Sequence, residues 1–358
     1  MNAKYYDGTK LLSMKDLNGN TPEIYMVTTN RTGGKTTWFN RWAVKRFLTK
    51  GEKFCLVMRF NYELDDIANK FFRDINTLFF PGYVMESKSK SHGIYHNLYI
   101  APFDATVNDV EQLEWEECGY AISLNSADQI KKISHLLSDT SVMIFDEFQS
   151  ESNHYCADEV QKLISIHTSI ARGQGKQVKY VPVIMISNPV SLINPYYVAL
   201  GITDRLRTDT KFLKGNGFVL EQGYNETAAQ AQISSGFNQA FADQKYVAYA
   251  AQNVYLNDNN TFIEKPSGFS TYVCTLRYEN TDYGVRTYPE SGIVYCDTNA
   301  DRTDKRKLAV STSDHGINYV MLRSNDSLVN LLRFYFDKGC FRFKNLKCKE
   351  AILKAISY

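Results

Sequence analysis

Four side chains of the types used in phosphate chemistry end two short motifs of the sequence. Lys35 and Thr36 close the string TNRTGGKT, residues 29–36, and Asp146 and Glu147 close the string VMIFDE, residues 142–147. A lysine beside a hydroxyl, after paired glycines, can bind the β- and γ-phosphates and Mg²⁺. An aspartate suits a magnesium ligand, and a glutamate can polarise a water molecule for attack on a γ-phosphate. The adjacent Asp-Glu pair favours ATP hydrolysis over a kinase or a GTP switch.

The string at residues 29–36 departs from a usual phosphate loop at its first position, where Thr29 replaces glycine. Thr29 fits there only if its backbone stays in a region open to β-branched residues. Gly33 and Gly34 supply a permissive backbone, and the helix expected from Lys35 adds its positive N-terminal dipole. An ordinary glycine turn before a helix is the alternative interpretation. The predicted nucleotide-binding residues are Arg31, Thr32, Gly33, Gly34, Lys35, Thr36, Thr37 and Asn188.

Two further residues stand where they could act on the same phosphates. Asn188 follows the apolar run VIMIS, where a strand next to the Asp-Glu strand would place its amide beside a γ-phosphate; a plain Asn-Pro turn is the alternative. Arg172, in SIARGQGK, could reach the γ-phosphate of a neighbouring subunit and stabilise the transition-state charge, with Lys176 as its nearest rival. An arginine that satisfies carbonyl groups at a helix C-terminus is the alternative for Arg172.

Charged residues elsewhere form weaker candidate sites. The string ESKSKSHG, residues 86–93, is typical of a β-hairpin tip, where Lys88 and Lys90 could contact nucleic-acid phosphates without reading sequence; a solvated turn is the alternative. Acids near the C-terminus hint at a two-metal nuclease. The first strand of that region, TYVCTLRY, carries no carboxylate, so solvated turn acids are the favoured interpretation. These acids are Asp282, Asp297, Asp301 and Asp304.

The elements that must position these side chains alternate between strands and helices from residue 23 to about residue 188. Continuous apolar runs predict buried strands, and apolar residues at helical spacing lie between them. This alternation predicts an α/β fold with a parallel sheet covered on both faces, and ligands at the carboxyl ends of its strands. The phosphate loop, the Asp-Glu pair and Asn188 all follow such ends. The predicted strands are residues 23–29, 53–60, 141–148 and 181–188.

The pattern changes after about residue 201. Residues 201–230 predict a linker or a small helical subdomain, because Gly, Ala, Gln and Ser become frequent there. Residues 270–299 contain three short strands separated by turns, which is typical of an antiparallel meander. Two amphipathic stretches near the C-terminus predict closing helices. We therefore expect residues 1–200 to form one domain and residues 231–358 a smaller α+β domain.

The composition limits the class of protein. Of 358 residues 44% are apolar, which is enough for a sizeable core and unlike a disordered chain. The net charge of +2 is too small for a simple nucleic-acid coat, so any nucleic-acid contact should be local. Seven scattered cysteines without a CxxC pair indicate reduced thiols. With no apolar run of signal-peptide or membrane-span length, we expect a soluble intracellular protein.

Several segments together resemble the DNA-packaging (encapsidation) ATPases of small short-tailed phages. They are TTNRTGGKTTWFNRWAVKRF, FCLVMRFNYEL, VMIFDEFQSE, YCADEV and ISNPVSLINPYY. The resemblance covers about residues 20–200 and extends beyond generic ATPase motifs. Over residues 230–358 it concerns domain order only.

This resemblance implies an ATP-driven, terminase-like ring motor. The family's motor is usually a homopentamer on the capsid portal, which threads double-stranded DNA into the prohead in the host cytoplasm, and some relatives need a packaging RNA. The implied fold is a RecA-like P-loop ATPase domain, a linker and an RNase H-like domain that has lost its nuclease acids. The resemblance makes Lys35 and Thr36 ligands of the phosphates and Mg²⁺, Asp146 a metal ligand and Glu147 the activator of water.

The same resemblance matches Arg31 to an arginine inside the family's loop. It places a trans-acting arginine after the helix that follows the Asp-Glu pair, which leads to Arg172, although that region is longer here. Two other hypotheses stay open at this point. One is a terminase-type ATPase whose C-terminal domain is an active nuclease. The other is a nucleotide-binding scaffold or regulator without motor activity.

Overall fold

The fold is described from a computed structural model of the chain. The described residues are 5–103, 113–152, 154–172, 177–191, 194–202, 205–206, 210–242, 247, 262–301 and 303–356. The chain divides into two compact units. The first combines Met1–Ala199 with Leu206–Asn257, and the second combines Leu200–Arg205 with Asp258–Tyr358.

A nine-stranded sheet forms the centre of the first unit. Its strands are β1 (Ile24–Thr28), β2 (Lys53–Met58), β3 (Tyr83–Lys90), β4 (Tyr95–Pro102), β5 (Glu116–Ser123), β6 (Thr140–Asp146), β7 (Val183–Ser187), β8 (Phe212–Lys214) and β9 (Phe218–Gln222). They lie in the order β3-β4-β5-β2-β6-β7-β1-β9-β8. Every neighbouring pair from β5 to β9 is parallel, whereas β3, β4 and β8 add antiparallel edges. The parallel centre brings the carboxyl ends of β1, β6 and β7 to one edge.

Helices cover both faces of this sheet. The helices of this unit are α1 (Thr9–Ser13), α2 (Lys35–Lys50), α3 (Ile67–Phe79), α4 (Ala127–Ile133), α5 (Glu159–Ile170), α6 (Pro195–Ala199), α7 (Glu226–Ile233) and α8 (Gly236–Ala240). Phe39 of α2 and Phe71 of α3 share one buried core with Ile144 of β6. Phe145, the next residue, points to the opposite face, where its ring meets Tyr196 of α6 at 5.7 Å. Burial on both faces explains why these strands read as continuous apolar runs.

The four predicted strands and the predicted helices between them are confirmed. The sequence prediction missed β5, partly because Gly119 interrupts its pattern. A Cβ at Gly119 would lie 2.2 Å from the carbonyl oxygen of Phe54, so the strand needs glycine for close approach to β2. The other omission is the β8–β9 hairpin, which turns at Gly217 with φ +77°.

This hairpin alters the expected domain boundaries. Residues 201–230 were expected to be a linker or small helical subdomain, but β8 and β9 within them extend the central sheet. The first unit also keeps α7 and α8, and takes in residues up to 257. A strand beside β1 buries Val219 and Leu220 completely, and this burial was hidden by the polar and glycine-rich flanks of the strand.

The second unit is built on a six-stranded mixed sheet. Its elements are β10 (Thr271–Tyr278), β11 (Thr281–Tyr288), β12 (Ile293–Asp297), β13 (Lys307–Ala309), β14 (Val320–Met321), β15 (Phe341–Phe343), α9 (Asp326–Asp337) and α10 (Leu346–Ile356). The strand order is β14-β13-β10-β11-β12-β15. The antiparallel meander β10–β11–β12 and both closing helices are confirmed. The helices supply Val329, Leu332 and Ile352 to a separate buried core.

Candidate functional site

The loop between β1 and α2 has the backbone that an anion site requires. Thr32 and Gly34 adopt left-handed conformations, with φ of +60° and +87°. The chain then enters the 16-residue helix α2 at Lys35, and no side chain caps that helix N-terminus. Uncapped N–H groups at the positive end of a helix are ready donors for phosphate oxygens.

Thr29 keeps the loop geometry because another residue makes room for it. It is not among the residues with positive φ, so its backbone meets the condition set by the sequence analysis. A Cβ at Gly223, which follows β9, would lie 2.9 Å from the Thr29 methyl carbon. The side chain missing at Gly223 is therefore what accommodates the threonine.

Lys35 lies deep at the carboxyl edge of the sheet, with its residue only 7% exposed. Its Nζ donates to Oδ1 of Asn188 at 2.7 Å, so the loop and the end of β7 meet as predicted. Burial lowers the pKa of the ammonium to about 8, although the Asp146 carboxylate opposes this shift. A buried cation of this kind gains strongly from an incoming anion.

The two predicted carboxylates stand beside this lysine. Asp146 ends β6, and it accepts the N–H of Glu147 at 2.9 Å and a hydrogen bond from the Thr36 side chain. Burial raises the pKa of both acids above their ordinary values, and for Glu147 the charges of Asp146 and Glu151 raise it further. Glu147 adopts a left-handed backbone with φ +55°, which is uncommon outside glycine and is often found at functional sites.

Space for a ligand opens directly onto these groups. A cavity of about 370 Å³ is lined by Arg31, Thr32, Lys35, Thr36, Asn188, Gln232, Asn238 and Val247. The last three residues come from the segment around α7 and α8, which the sequence analysis did not connect to the site. Thr37 was also predicted to bind nucleotide. It is half-buried in the first turn of α2 and is not among the residues that line this cavity.

Arg31 and Thr32 line the cavity, but their side chains bond to other protein groups. Arg31 was expected to face the phosphates, but its guanidinium forms an ion pair with Glu151. Thr32 is exposed, and its hydroxyl donates to the Arg31 carbonyl at 2.7 Å. Both residues still line the cavity, so Arg31 must exchange a carboxylate partner for phosphate if it binds nucleotide.

Arg172 is exposed and lies away from the site of its own chain. α5 begins at the carboxyl edge, where Glu159 pairs with Arg59, and its twelve residues cover about 18 Å toward the opposite edge. Near its end His167 bonds the carbonyl of Val181, just before β7 begins. Arg172 follows that end, so the direction of α5 leads it away from its own chain's phosphate loop. Its rival Lys176 lies outside the described residues.

The hairpin at residues 83–102 is confirmed, but its tip is displaced from the predicted position. Lys88 and Lys90 lie on β3, and the turn begins after them at Ser91. Lys88 forms an ion pair with Glu86 at 2.7 Å. A phosphate contact by Lys88 would therefore compete with a carboxylate that is already in place.

The phosphate loop is linked to the segment that follows β9 by contacts that no sequence motif indicated. The buried Asn30 side chain donates to the carbonyl of Asn225 at 3.1 Å and accepts its N–H at 2.8 Å. Asn225 also caps α7 by accepting the N–H of Ala228 at 2.9 Å. A polar side chain inside the phosphate-loop motif was the one sequence signal of this link. The partner of Asn30 is distant in sequence and is visible only in the fold.

The aspartates of the second unit are held by their own surroundings. Asp282 receives two bonds from Arg277 at 2.8 and 3.1 Å, and Asp297 accepts the N–H of Asn299 at 2.8 Å. Asp301 and Asp304 likewise accept the N–H groups of nearby loop residues. Among the described residues, no group of three or more His, Cys, Asp or Glu side chains could hold a metal ion. The interpretation as solvated turn acids fits the exposed Asp301, whereas Asp297 is buried at the end of β12 and differs from that expectation.

Comparison with known protein families identifies the family of this chain. The sequence model of the Podovirus DNA encapsidation protein (Gp16) matches residues 1–356, nearly the whole chain. The chain belongs to this family. Among Gp16 relatives, the DNA packaging protein of Bacillus phage B103 is 24% identical over 331 residues, covering 91% of this chain and 92% of the relative. The DNA packaging protein of Bacillus phage phi29 is 24% identical over 345 residues, covering 95% and 93%.

Solved structures show that the Gp16 fold extends over the full length. "The bacteriophage Phi-29 viral genome packaging motor assembly" aligns with a TM-score of 0.60 and 22% identity, covering 99% of this chain and 98% of that one. "The Phi-28 gp11 DNA packaging Motor" aligns with a TM-score of 0.62 and 14% identity, covering 100% and 99%. At these identities the similarity establishes the fold.

Among the described residues, no helix is both long and apolar enough to cross a membrane.

Proposed function

We propose that this protein hydrolyses ATP and uses the energy to move double-stranded DNA into a prohead, as one subunit of a homo-oligomeric ring. The observation that carries the proposal is the meeting of Lys35, Thr36, Asp146, Glu147 and Asn188 at one edge of the sheet. The names of the phi29 and B103 relatives, both DNA packaging proteins, support the same activity. We expect a pentamer seated on the capsid portal, with or without a packaging RNA.

The chain's own residues have separate roles in this reaction. Lys35 and the N-terminus of α2 bind the β- and γ-phosphates and compensate their charge. Asn188 orients the lysine and can donate its amide to the γ-phosphate. Glu147 accepts the proton of the attacking water, and its raised pKa brings it nearer to the value that suits a general base at neutral pH.

The side chains beside Lys35 also fit a magnesium ion. A hydroxyl from Thr36 and a carboxylate from Asp146 already contact one another and are hard oxygen donors. Magnesium usually takes one or two protein ligands and completes its shell with water and phosphate oxygens. When bound it would neutralise charge on the transferring phosphate. We assign Thr36 and Asp146 to that site.

The assignment is tested by three variants of the full chain. We expect Lys35→Ala to lower the hydrolysis rate by about 10²-fold or more, because a buried cation at the phosphates is lost. Glu147→Gln should retain ATP binding and lose hydrolysis by about 10²- to 10⁴-fold. The matched control is Lys45→Ala on the exposed face of the same helix, which should hydrolyse ATP normally. Hydrolysis by Lys35→Ala at the wild-type rate would refute the site.

We propose that Arg172 acts across a subunit boundary. The Lys35→Ala subunit has a defective site but an intact Arg172, and the Arg172→Ala subunit has the reverse. Mixing two inactive variants should restore hydrolysis only if the arginine serves a neighbour's site. Full activity of Arg172→Ala alone would remove the residue from the mechanism.

DNA separates the motor from the two other hypotheses. Linear duplex DNA should stimulate ATP turnover by a translocating motor, and a nucleotide-binding scaffold should show no stimulation. We assign Lys88 and Lys90 to non-specific DNA contacts, which predicts a weaker salt dependence of binding when both are replaced. We also propose that residues 258–358 are an RNase H-like domain without nuclease activity.

A further inference from the structure

A buried arginine at the end of β2 touches the backbone that carries Glu147. Arg59 directly follows Met58, and its side chain is only 7% exposed. Its Nε and Nη2 donate to the two oxygens of Glu159 at 2.8 and 3.1 Å. Such a two-pronged pair fixes the plane of the guanidinium as well as its position.

The carboxylate that holds Arg59 is itself held from two other elements. Glu159, with a side chain 1% exposed, accepts the hydroxyl of Tyr196 at 2.7 Å and the N–H of Cys156 at 2.8 Å. Tyr196 belongs to α6, and Cys156 lies in the loop before α5. The arginine is therefore fixed to α5, to α6 and to the loop before α5, and it has little freedom to move.

Arg59 also donates to the loop after β6. Its Nη2 also donates to the carbonyl oxygens of Glu147 and Phe148, at 3.1 and 3.0 Å. Glu147 is the left-handed residue of this loop, and such a conformation persists when surrounding contacts determine it. Arg59 supplies those contacts at the carbonyl of the strained residue.

The opposite side of the same loop is tied to β7. The N–H of Phe148 donates to the carbonyl of Ile186 at 3.2 Å. Gln149 accepts the N–H groups of Val190 and Ser191 at 3.0 and 2.9 Å. The loop that presents Glu147 is thus held between β7 and Arg59, and Arg59 is its attachment to the β2 side.

We propose that Arg59, held by Glu159 and Tyr196, is a positioning residue that sets the orientation of the Glu147 carboxylate toward the attacking water. The inference rests on the proposed role of Glu147. Replacing a buried ion pair by apolar residues of similar size is often neutral for stability, so stability alone does not account for this network. A lysine could not substitute, because it lacks the planar fork that bonds Glu159 and two carbonyls at once.

The test replaces the pair without leaving a buried charge. In the full-length Arg59→Met/Glu159→Met variant we expect kcat to fall about 10- to 100-fold, because a small misplacement of a catalytic group has an effect of that size. Dissociation constants for ATP, measured by a fluorescent analogue, should change less than about twofold, because the phosphate-binding groups are untouched. Arg59→Lys should show the same separation of kcat from binding.

The chain offers a matched control in its second unit. Arg277 bonds Asp282 with the same two distances, 2.8 and 3.1 Å, and Tyr319 donates to Asp282 at 2.9 Å. The Arg277→Met/Asp282→Met variant should hydrolyse ATP at the wild-type rate. If removing any ion pair lowers the hydrolysis rate, kcat will fall equally in both double variants. That result would overturn the proposal.

Milder variants keep the proposal open to refutation if the double variant fails to fold. Tyr196→Phe and Glu159→Gln preserve shape, and each should lower kcat about three- to tenfold without weakening ATP binding. A kcat within twofold of wild type in every folded variant overturns the positioning role. Unchanged hydrolysis in Glu147→Gln would instead refute the proposed function, whatever the Arg59 variants do.

Discussion

The carboxylates at the end of β6 in the first unit and those in the loops and turns of the second unit have opposite surroundings. Burial raises the pKa of Asp146 and Glu147 in the first unit, next to a lysine whose own pKa is lowered. In the second unit the hydrogen bonds of Thr303 lower the pKa of Asp301. Buried Asp314 accepts the N–H groups of Glu279 and Asn280 at 3.2 and 2.8 Å.

The difference separates acids that hold the fold from acids kept for a ligand. A carboxylate that accepts several backbone N–H groups stabilises a turn and has little capacity left for a metal or a substrate. A carboxylate with a raised pKa is electrostatically unfavourable in the protein alone and gains from an added cation. Function should therefore depend on the acids of β6, and stability on those of the second unit.

The largest expected difference is in ATP hydrolysis. Asp146→Asn should lower the magnesium-dependent rate by about 10²-fold or more, because a charged oxygen near the transferring phosphate is lost. Asp297→Asn, which keeps the shape and the acceptor for Asn299, should leave the rate unchanged. Parallel steady-state assays of both variants measure this contrast, and an equal loss in both would break it.

A comparison of the wild type with Asp297→Ala addresses nuclease activity. We expect the wild-type protein to leave a plasmid intact in Mn²⁺, because the described acids of the second unit are engaged by neighbouring residues. Nicking that disappears in Asp297→Ala would show instead that the second unit is an active nuclease.

A smaller effect should appear in the pH dependence of ATP affinity. Lys35 has a pKa of about 8 in the free protein, and bound triphosphate favours its protonated form. Above pH 8 each binding event must take up a proton, so the affinity should fall by up to about tenfold per pH unit. Titrations in EDTA measure this without the metal. Lys35→Arg should lose the dependence, since arginine stays charged.

The lowered pKa of Lys35 also determines how its contribution to stability changes with pH. The unfolded lysine has a pKa of 10.5, so between about pH 8 and that value the unfolded chain binds more protons. The contribution of Lys35 to the free energy of unfolding should therefore rise with pH across that window. A fall attributable to Lys35 would contradict its burial in the folded protein.

The smallest expected effect is on the free energy of unfolding. Asp314→Ala should lower it by about 1–3 kcal/mol, because two backbone N–H groups lose their acceptor. Asp146→Asn should change it little or increase it, because an unfavourable buried charge is removed. Urea unfolding of both variants measures these two changes in the free energy of unfolding. A larger decrease in Asp146→Asn than in Asp314→Ala would contradict the proposed difference between the two groups of acids.

The sequence was sufficient for the elements whose signal is local. Continuous apolar runs predicted the strands that end at Thr28, Asp146 and Ser187, and parallel packing then required their following residues to meet. The position of Asn188 at the same sheet edge as Lys35 follows from this reasoning. The sequence could not predict β5, because a glycine required by close backbone approach looks like a strand breaker. It could not predict β9, because polar and glycine-rich flanks hide a short apolar run.

Partners distant in sequence set the other limit. Nothing local pairs Arg31 with Glu151, Asn30 with Asn225, or Arg59 with Glu159. An arginine at the end of the apolar run FCLVMRF was a visible signal, but its meaning depends on where α5 begins. The position of Arg172 likewise required the direction of α5 relative to the sheet.

The space that Gly223 leaves for the Thr29 methyl group ties two distant positions of the chain together. A glycine at position 29 would free position 223 to acquire a side chain, whereas a β-branched residue at 29 forbids it. Exchange at the two sites should therefore be correlated as members of the family diverge. An engineer who restores the usual first glycine of the loop also obtains a second site that tolerates variation.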